Sequence, residues 1–285
     1  MKVAPFSFFE ILMVESRITI VDIGAMYADT VMPSYQSLMD RGLGRLIGFE
    51  PNATECQKLT QQYKRNPQYR FFPYAIGDGD LHPFHRCQTS SCSSILKPNF
   101  NVCDRFQNFS DYMHVLDTHD LQTHRLDEVV HEDVDYLKID VQGFELTILQ
   151  HAHKIVSNVS VAEIEVEFIQ QYENQPLFAD IAQFMEREGF LFHTFLGYGT
   201  RHFKPMVPKP GLKQGMRQWI WSDAVFIKDF WTQNLSPTQL LKMACILHES
   251  YQSYDLVCAI LDRYDGMMSS HYATEYSRLC AQFIN

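Results

Sequence analysis

Tyr136-Leu137-Lys138-Ile139-Asp140-Val141-Gln142-Gly143-Phe144-Glu145 is the stretch on which the reading of this chain turns. Residues 136–139 have strand character and little alternation, which suits a strand buried on both faces of a sheet. The run ends on an acid, Asp140, and Gly143 then opens a helical stretch at 144–155. Taken bare, it is a buried strand, an acidic end and a helix entry. Its weight comes from the series in which it stands.

Working outward, further short apolar runs lie at 17–21, 45–49 and 69–76 before it, and at 159–166, 190–195 and 224–227 after it. Helical stretches separate several of them: 34–41, stopped by Gly42; 53–64, entered through Pro51-Asn52; and 177–188, stopped by Gly189. Strands alternating with helices imply βαβ units and a mainly parallel sheet. Two regions break the rhythm. Residues 78–133 are too long for one connection and contain the polar run 88–94. Residues 197–222 are rich in Gly, Pro, Lys and aromatics, with no periodic element. Long insertions in compact α/β domains act as covers or binding loops, the bland alternative being surface decoration. After Phe230 the character is helical. Ser236-Pro237-Thr238-Gln239 carries a cap, a first-turn proline and a capping-box glutamine, and further helices are expected at 255–264 and about 270–283. The chain divides into an α/β domain, 1–230, and a small helical extension, 231–285, packed on that domain or on a partner subunit.

Bulk properties exclude several classes. The chain has 285 residues, 46% of them hydrophobic, enough to bury one large core with an appendage. The net charge of −10, with no basic block beyond pairs such as Lys64-Arg65, argues against a sequence-independent grip on nucleic acid. Seven scattered cysteines with no CxxC pair read as a reducing, cytoplasmic setting. Glu10 and Glu15 interrupt the apolar N-terminus, and no run approaches the roughly 18–20 apolar residues of a membrane span. A soluble protein is expected.

Two motifs precede the opening stretch. Ile18–Gly24 is a strand leading into Asp22-x-Gly24, where a glycine lets the backbone approach a nucleotide-type ligand. Gly48-Phe49-Glu50-Pro51 places Glu50 26 residues after Gly24. A carboxylate there accepts hydrogen bonds from both ribose hydroxyls of an adenosine, or alternatively caps the helix starting near Asn52. These motifs alone do not separate NAD from S-adenosylmethionine. Gly24-Ala25-Met26-Tyr27-Ala28 lacks the fuller GxGxxG loop that a pyrophosphate calls for, and S-adenosylmethionine has no phosphate to cradle.

The ordered set then becomes specific. Val21–Ala25, Phe49-Glu50-Pro51, Tyr74–Asp78, Arg125–Val129, Asp135–Glu145, Glu163–Phe168 with Tyr172, and Trp221–Phe226 together resemble the FkbM-type methyltransferase family over roughly residues 18–228. Gln142 stands where that family more often has Glu. Met26 and Ala28 depart from its usual first loop, which has Asn and a second Gly. The resemblance implies a class I methyltransferase Rossmann-like sandwich, with a mainly parallel seven-stranded sheet and an antiparallel last strand, to which the C-terminal helical appendage read above is added. It also implies S-adenosyl-L-methionine as cofactor and methylation of hydroxyl groups on a sugar, glycan or secondary metabolite. On the family pattern, Ala75 and Ile76 close the third strand and contact the adenine, Asp78 lies near its amino group, and Asp22 holds the ammonium of the amino-acid end. Ala25 and Pro51 belong to the two cofactor loops.

Methyl transfer from a sulfonium needs donor and acceptor aligned at about 3 Å and a base for the hydroxyl proton. Ligands of open α/β sheets bind at the carboxyl ends of the strands. Asp140 is therefore expected by the methyl group, with Glu165, from the alternating Glu163, Glu165 and Glu167, assisting the acceptor hydroxyl. Lys138 shares their face and either pairs with Glu165 or Asp140 or snorkels to an edge. Residues 88–100 and 197–221 are the expected acceptor covers, with Tyr172, Tyr198, Arg201 and Trp221 offering stacking faces and polar groups. His82, His85 and Cys87, and the series His114, His119 and His124, lack a standard zinc ligand set, so no metal is expected. His124 and His193 are candidate auxiliary bases. Two other readings stay open: a non-catalytic partner that uses the acidic surface and helical extension for assembly, and an NAD-dependent oxidoreductase. A small-molecule or glycan acceptor, no nucleic acid, no membrane, and a homo-oligomer through the C-terminal helices complete the expectation.

Overall fold

The computed structural model describes residues 6–8, 17–26, 32–207, 209 and 215–282. Its strands are β1 (Ile18–Ile23), β2 (Gly44–Phe49), β3 (Tyr69–Phe72), β4 (Ala75–Ile76), β5 (Leu81–Cys87), β6 (Val115–His124), β7 (Tyr136–Ile139), β8 (Val161–Glu167), β9 (Phe190–Thr200) and β10 (Trp219–Lys228). Seven of them form one sheet in the order β3-β2-β1-β7-β8-β10-β9. The pairs β3-β2, β2-β1, β1-β7 and β7-β8 are parallel, and β10 runs antiparallel to both β8 and β9. This is the class I methyltransferase arrangement, with the last strand in the chain reversed and inserted beside the edge.

Alternation along the central strands sorts two cores. Val21, Ile23, Leu137, Ile139, Ala162, Ile164, Val166, Ala224 and Phe226 face helices Glu145–Gln150, His153–Asn158 and Phe178–Arg187. On the other side, Ile18, Ile20, Tyr136, Val161, Val225 and Ile227 pack against helices Gln36–Asp40, Pro237–Ile246 and Tyr254–Met268. Residues 231–282 thus supply the second helical layer. Without them one sheet face loses its cover, and burial of that apolar area is the main term holding the layers together.

Three local expectations are corrected. The run at 69–76 is two strands: β3 joins the large sheet, whereas Ala75 and Ile76 leave it and pair with Thr123 and His124 of β6 in a separate sheet, β4-β6-β5. The helix expected at 144–155 is broken at His151-Ala152. Residues 197–222 are not wholly irregular, since β9 extends to Thr200 and β10 begins at Trp219. Among the described residues no helix is long and apolar enough to cross a membrane. All seven cysteines are free thiols.

Because the C-terminal helices share a core with the sheet, unfolding is expected to be a single transition reporting both. Leu240, fully buried in that core, gives Leu240→Ala an expected cost of about 2–5 kcal/mol. Urea titration followed by far-UV circular dichroism and Trp231 fluorescence checks this, and an early, separate loss of the extension would oppose it.

Candidate active site

The sheet face that is apolar under the C-terminal helices becomes polar towards the strands' carboxyl ends. Asp22 follows Ile18 and Ile20 on β1, Lys138 and Asp140 follow Tyr136 on β7, and Glu163, Glu165 and Glu167 follow Val161 on β8. Asp223 and Trp221 continue the face beyond Val225 on β10. Register places Asp22 beside Lys138, Lys138 beside Glu163, Glu165 beside Asp223, and Glu167 beside Trp221. Six carboxylates and one ammonium therefore share one surface, with Glu145 entering from the following helix.

Lys138 is central to it. Its Nζ lies 3.6 Å from Asp140 and 3.9 Å from Asp22. Burial by itself favours the neutral amine, but Asp22, Asp140 and Glu163 outweigh it and hold the lysine well above its usual range. Of the two sequence readings for this side chain, pairing is what the structure has, with Asp140 and Asp22 as partners.

The chain after β7 is shaped by two polar side chains. Glu145 Oε1 accepts the backbone N–H groups of Val141 (2.9 Å) and Gly143 (3.1 Å), folding the loop over the strand end. Gln142 sits at φ +62. Its Nε2 donates to Asp140 Oδ1 (3.0 Å) and to Glu165 Oε2 (2.6 Å), while Tyr172 O–H donates to its Oε1 (3.4 Å). A glutamate here would face two carboxylates with no proton to offer. The amide ties both together, which gives Gln142 a physical reason. Gly24, at φ +84, packs so closely beneath this loop that a Cβ would stand 1.9 Å from the Asp140 carbonyl oxygen. The glycine thus serves contact between the β1 and β7 loop ends.

Glu50 closes β2 and is 6% exposed. Its Oε1 accepts Asn52 N–H (2.7 Å), whereas the helix Ala53–Gln62 is capped by Asn52 itself. No hydrogen bond engages Oε2 among the described residues. Burial pushes this carboxyl up to about 7. A buried carboxylate with one oxygen unclaimed beside the β1 turn fits paired ribose hydroxyls. Asp140, whose side chain is 35% exposed, is the open carboxylate at the adjoining strand end. The residues present therefore fit the nucleoside and amino-acid ends of S-adenosylmethionine, with Pro51 and Ala25 at the flanking turns.

Several expected site residues have other surroundings. Asp22 is 2% exposed and accepts Tyr35 O–H (2.5 Å), so it serves the interior; burial pushes its carboxyl up. Asp78 Oδ1 accepts from His82 (2.8 Å), Asp80 N–H (2.9 Å) and Thr123 O–H (3.2 Å), so that oxygen is engaged within the small sheet's own turn. Ala75 and Ile76, displaced into the small sheet, are both buried. Tyr172 is fully buried, its hydroxyl on Cys92 O (2.9 Å) and Gln142, so it offers an acceptor no face. Arg201 lies over the rings of Phe109 and Tyr112 and donates to Thr200 O (2.9 Å). Tyr198 stands exposed and stacked on Trp219 at 4.7 Å, and the Trp221 indole fills the space above Gly199. Ser94 Oγ donates to Gln142 O (2.7 Å), which places the 88–100 cover directly on the signature loop. His193 bonds Ser253 Oγ (2.7 Å) of the extension, and His124 packs on Tyr74. Ala28 lies outside the described residues.

Sequence reading missed Asp223, although it stands in the quoted Trp221–Phe226 segment and alternates onto the site face. It also missed the hydroxyls of Ser34, Tyr136 and Tyr251, which all reach Glu163 Oε2. Nothing local marks these three.

Two consequences are testable. Burial, with Glu163 and Asp140 nearby, pushes Asp223 up to about 7 from an ordinary 3.8. Between those values the folded state keeps a proton that the unfolded state has lost, so stability falls as pH rises through this window. Asp223→Asn is expected to flatten that fall in thermal melts at pH 5 to 8, and an unchanged slope would contradict it. Gln142→Glu removes a double donor, with an expected loss of about 1–3 kcal/mol at pH 8 and less at pH 5, measured by urea denaturation.

A sequence model described as the methyltransferase FkbM domain matches residues 22–192, more than half of the chain. Among solved structures, one similar chain is a methyltransferase FkbM from Methylobacillus flagellatus KT. It is 13% identical, with 74% of this chain and 43% of that one covered, at a TM-score of 0.40. This chain therefore spans less than half the length of that protein. Another is magnesium protoporphyrin IX methyltransferase from Synechocystis PCC 6803 with bound SAM, 9% identical, covering 75% of this chain and 71% of that one at a TM-score of 0.40. No curated protein matches significantly. On the strength of the domain match, this chain belongs to the FkbM methyltransferase family.

Proposed function

We propose that the protein is an S-adenosylmethionine-dependent O-methyltransferase acting on a hydroxyl of a sugar, glycan or secondary metabolite in a reducing cytoplasm. The observation that carries this reading is the Asp140–Gln142–Glu165 bridge at the carboxyl ends of β7 and β8, beside the half-engaged Glu50 carboxylate.

S-adenosylmethionine supplies an electrophilic methyl group on a sulfonium. Glu50 accepts the ribose hydroxyls, and Asp140, steadied by Lys138 and Gln142, holds the opposite end. Burial, reinforced by Asp140, Glu167 and Glu145, raises the Glu165 carboxyl well above its usual range. A carboxylate of raised proton affinity is a better base for an alcohol. Glu165 would take the acceptor's hydroxyl proton as its oxygen receives the methyl group. Tyr198 and Trp221, at the β9–β10 end of the same edge, are the aromatic surfaces offered to the acceptor. Self-association through the C-terminal helices, for which sedimentation is the readout, remains part of the proposal.

Calorimetric titration with S-adenosylmethionine, with NAD in parallel, is the test. Saturable one-to-one binding of the first alone is expected, and Glu50→Ala is expected to weaken it about 10- to 100-fold, as loss of bonds to a charged group does. Binding of NAD alone, or of neither, would sink the reading. So would methyl transfer left undiminished in Asp140→Asn/Glu165→Gln once an acceptor is found.

A further inference from the structure

Residues 231–285 lie beyond the matched stretch 22–192, yet one of their side chains reaches the polar face. Tyr251 ends the π-helical turn Leu247–Tyr251. Its hydroxyl donates to Glu163 Oε2 at 2.7 Å, and the same oxygen accepts from Tyr136 (2.9 Å) and Ser34 (2.5 Å). The Tyr136 and Tyr251 hydroxyl oxygens are also in contact, so either proton can be shared between its neighbour and Glu163. Glu163 is 3% exposed and stands opposite Lys138 in the β7–β8 register.

The turn is braced on its other side as well. Glu249 accepts Phe8 N–H (3.0 Å), pairs with Arg41 (2.8 Å), and offers its carbonyl to Ser37 Oγ (2.8 Å). Ser37 and Arg41 belong to the segment that begins at Ser34-Tyr35, and these two residues donate to Glu163 and Asp22. One turn of the extension therefore holds the segment that follows the β1 loop and, through Tyr251, the carboxylate beside Lys138. A buried carboxyl group needs hydrogen-bond partners in place of water, and here three hydroxyls reach one of its oxygens.

We infer that Tyr251 is a positioning residue of the donor site: its hydroxyl holds the Glu163 carboxylate in place beside Lys138, and so fixes how Lys138 presents Asp140. This rests on the S-adenosylmethionine reading above. Removing the hydroxyl frees the Glu163 side chain to shift beside Lys138, which alters how Lys138 meets Asp140 at the amino-acid end of the donor while the Glu50 end is untouched.

The experiment compares S-adenosylmethionine with adenosine, which lacks the amino-acid end, by calorimetry on the full chain. Tyr251→Phe is expected to weaken S-adenosylmethionine about tenfold, within the usual range of site coupling, and to leave adenosine unchanged. Ser34→Ala, which removes a second donor from the same oxygen, is expected to show the same split and stands in should Tyr251→Phe not fold. Asp265→Ala, which uncaps helix Tyr272–Cys280 by losing Tyr272 N–H and Ala273 N–H, should lower the melting temperature and shift neither affinity. Unchanged S-adenosylmethionine binding in Tyr251→Phe, or equal weakening of both ligands, overturns the inference alone. A wild-type protein that binds no S-adenosylmethionine overturns the reading beneath it.

Discussion

A single buried ammonium among carboxylates is the constraint on which this site depends. Lys138 occupies the middle of a sheet face whose neighbouring positions are Asp22, Asp140 and Glu163. Its own burial would expel the charge, and the three acids retain it. The balance is not complete, since Glu165, Glu167 and Asp223 lie on the same face and one lysine cannot neutralise them all. Burial raises each of these carboxyls, and mutual repulsion raises them further. The outcome is a face whose carboxyls have raised proton affinity, the kind of perturbation that clusters at functional sites.

The same strands carry both the core and the site, and alternation decides which is which. Ile18 and Ile20 lie under the C-terminal helices, and two residues on, Asp22 begins the polar half of that face. Tyr136 marks the border on β7 and Val161 on β8. Helices 237–246 and 254–268 cover the apolar half and stop where the carboxylates begin, so the extension sets the limit between packed interior and reactive edge. Tyr251 and the Glu249 brace stand at that limit.

The alternation of strands and helices and the acidic strand ends are legible because they depend on short-range patterns, apolar runs and stop glycines, whereas the reversed last strand is legible only through the family resemblance. The partnerships are not. The family pattern makes Asp22 a cofactor ligand, and in the structure one of its oxygens accepts from Tyr35, thirteen residues away. Tyr172 suits a stacking surface by residue type, but a bridge between Tyr172 and Pro98 buries it beneath the long insertion. Ala75 and Ile76 continue the apolar run of the third strand, and nothing in such a run announces that β6 will pair with its end. Gln142 looked like a departure from the family pattern, and only its two carboxylate neighbours explain it. Tyr251 lies more than eighty residues from Glu163, a separation that no local signal spans.

The most direct measurement is a crystal structure with S-adenosylhomocysteine bound. The account predicts both ribose hydroxyls within about 3.2 Å of Glu50, with the amino-acid end against Asp140 above Lys138. A nucleoside lodged elsewhere, such as in the recess of about 300 Å³ between Arg17, Arg45 and Arg70 at the opposite strand ends, would contradict it.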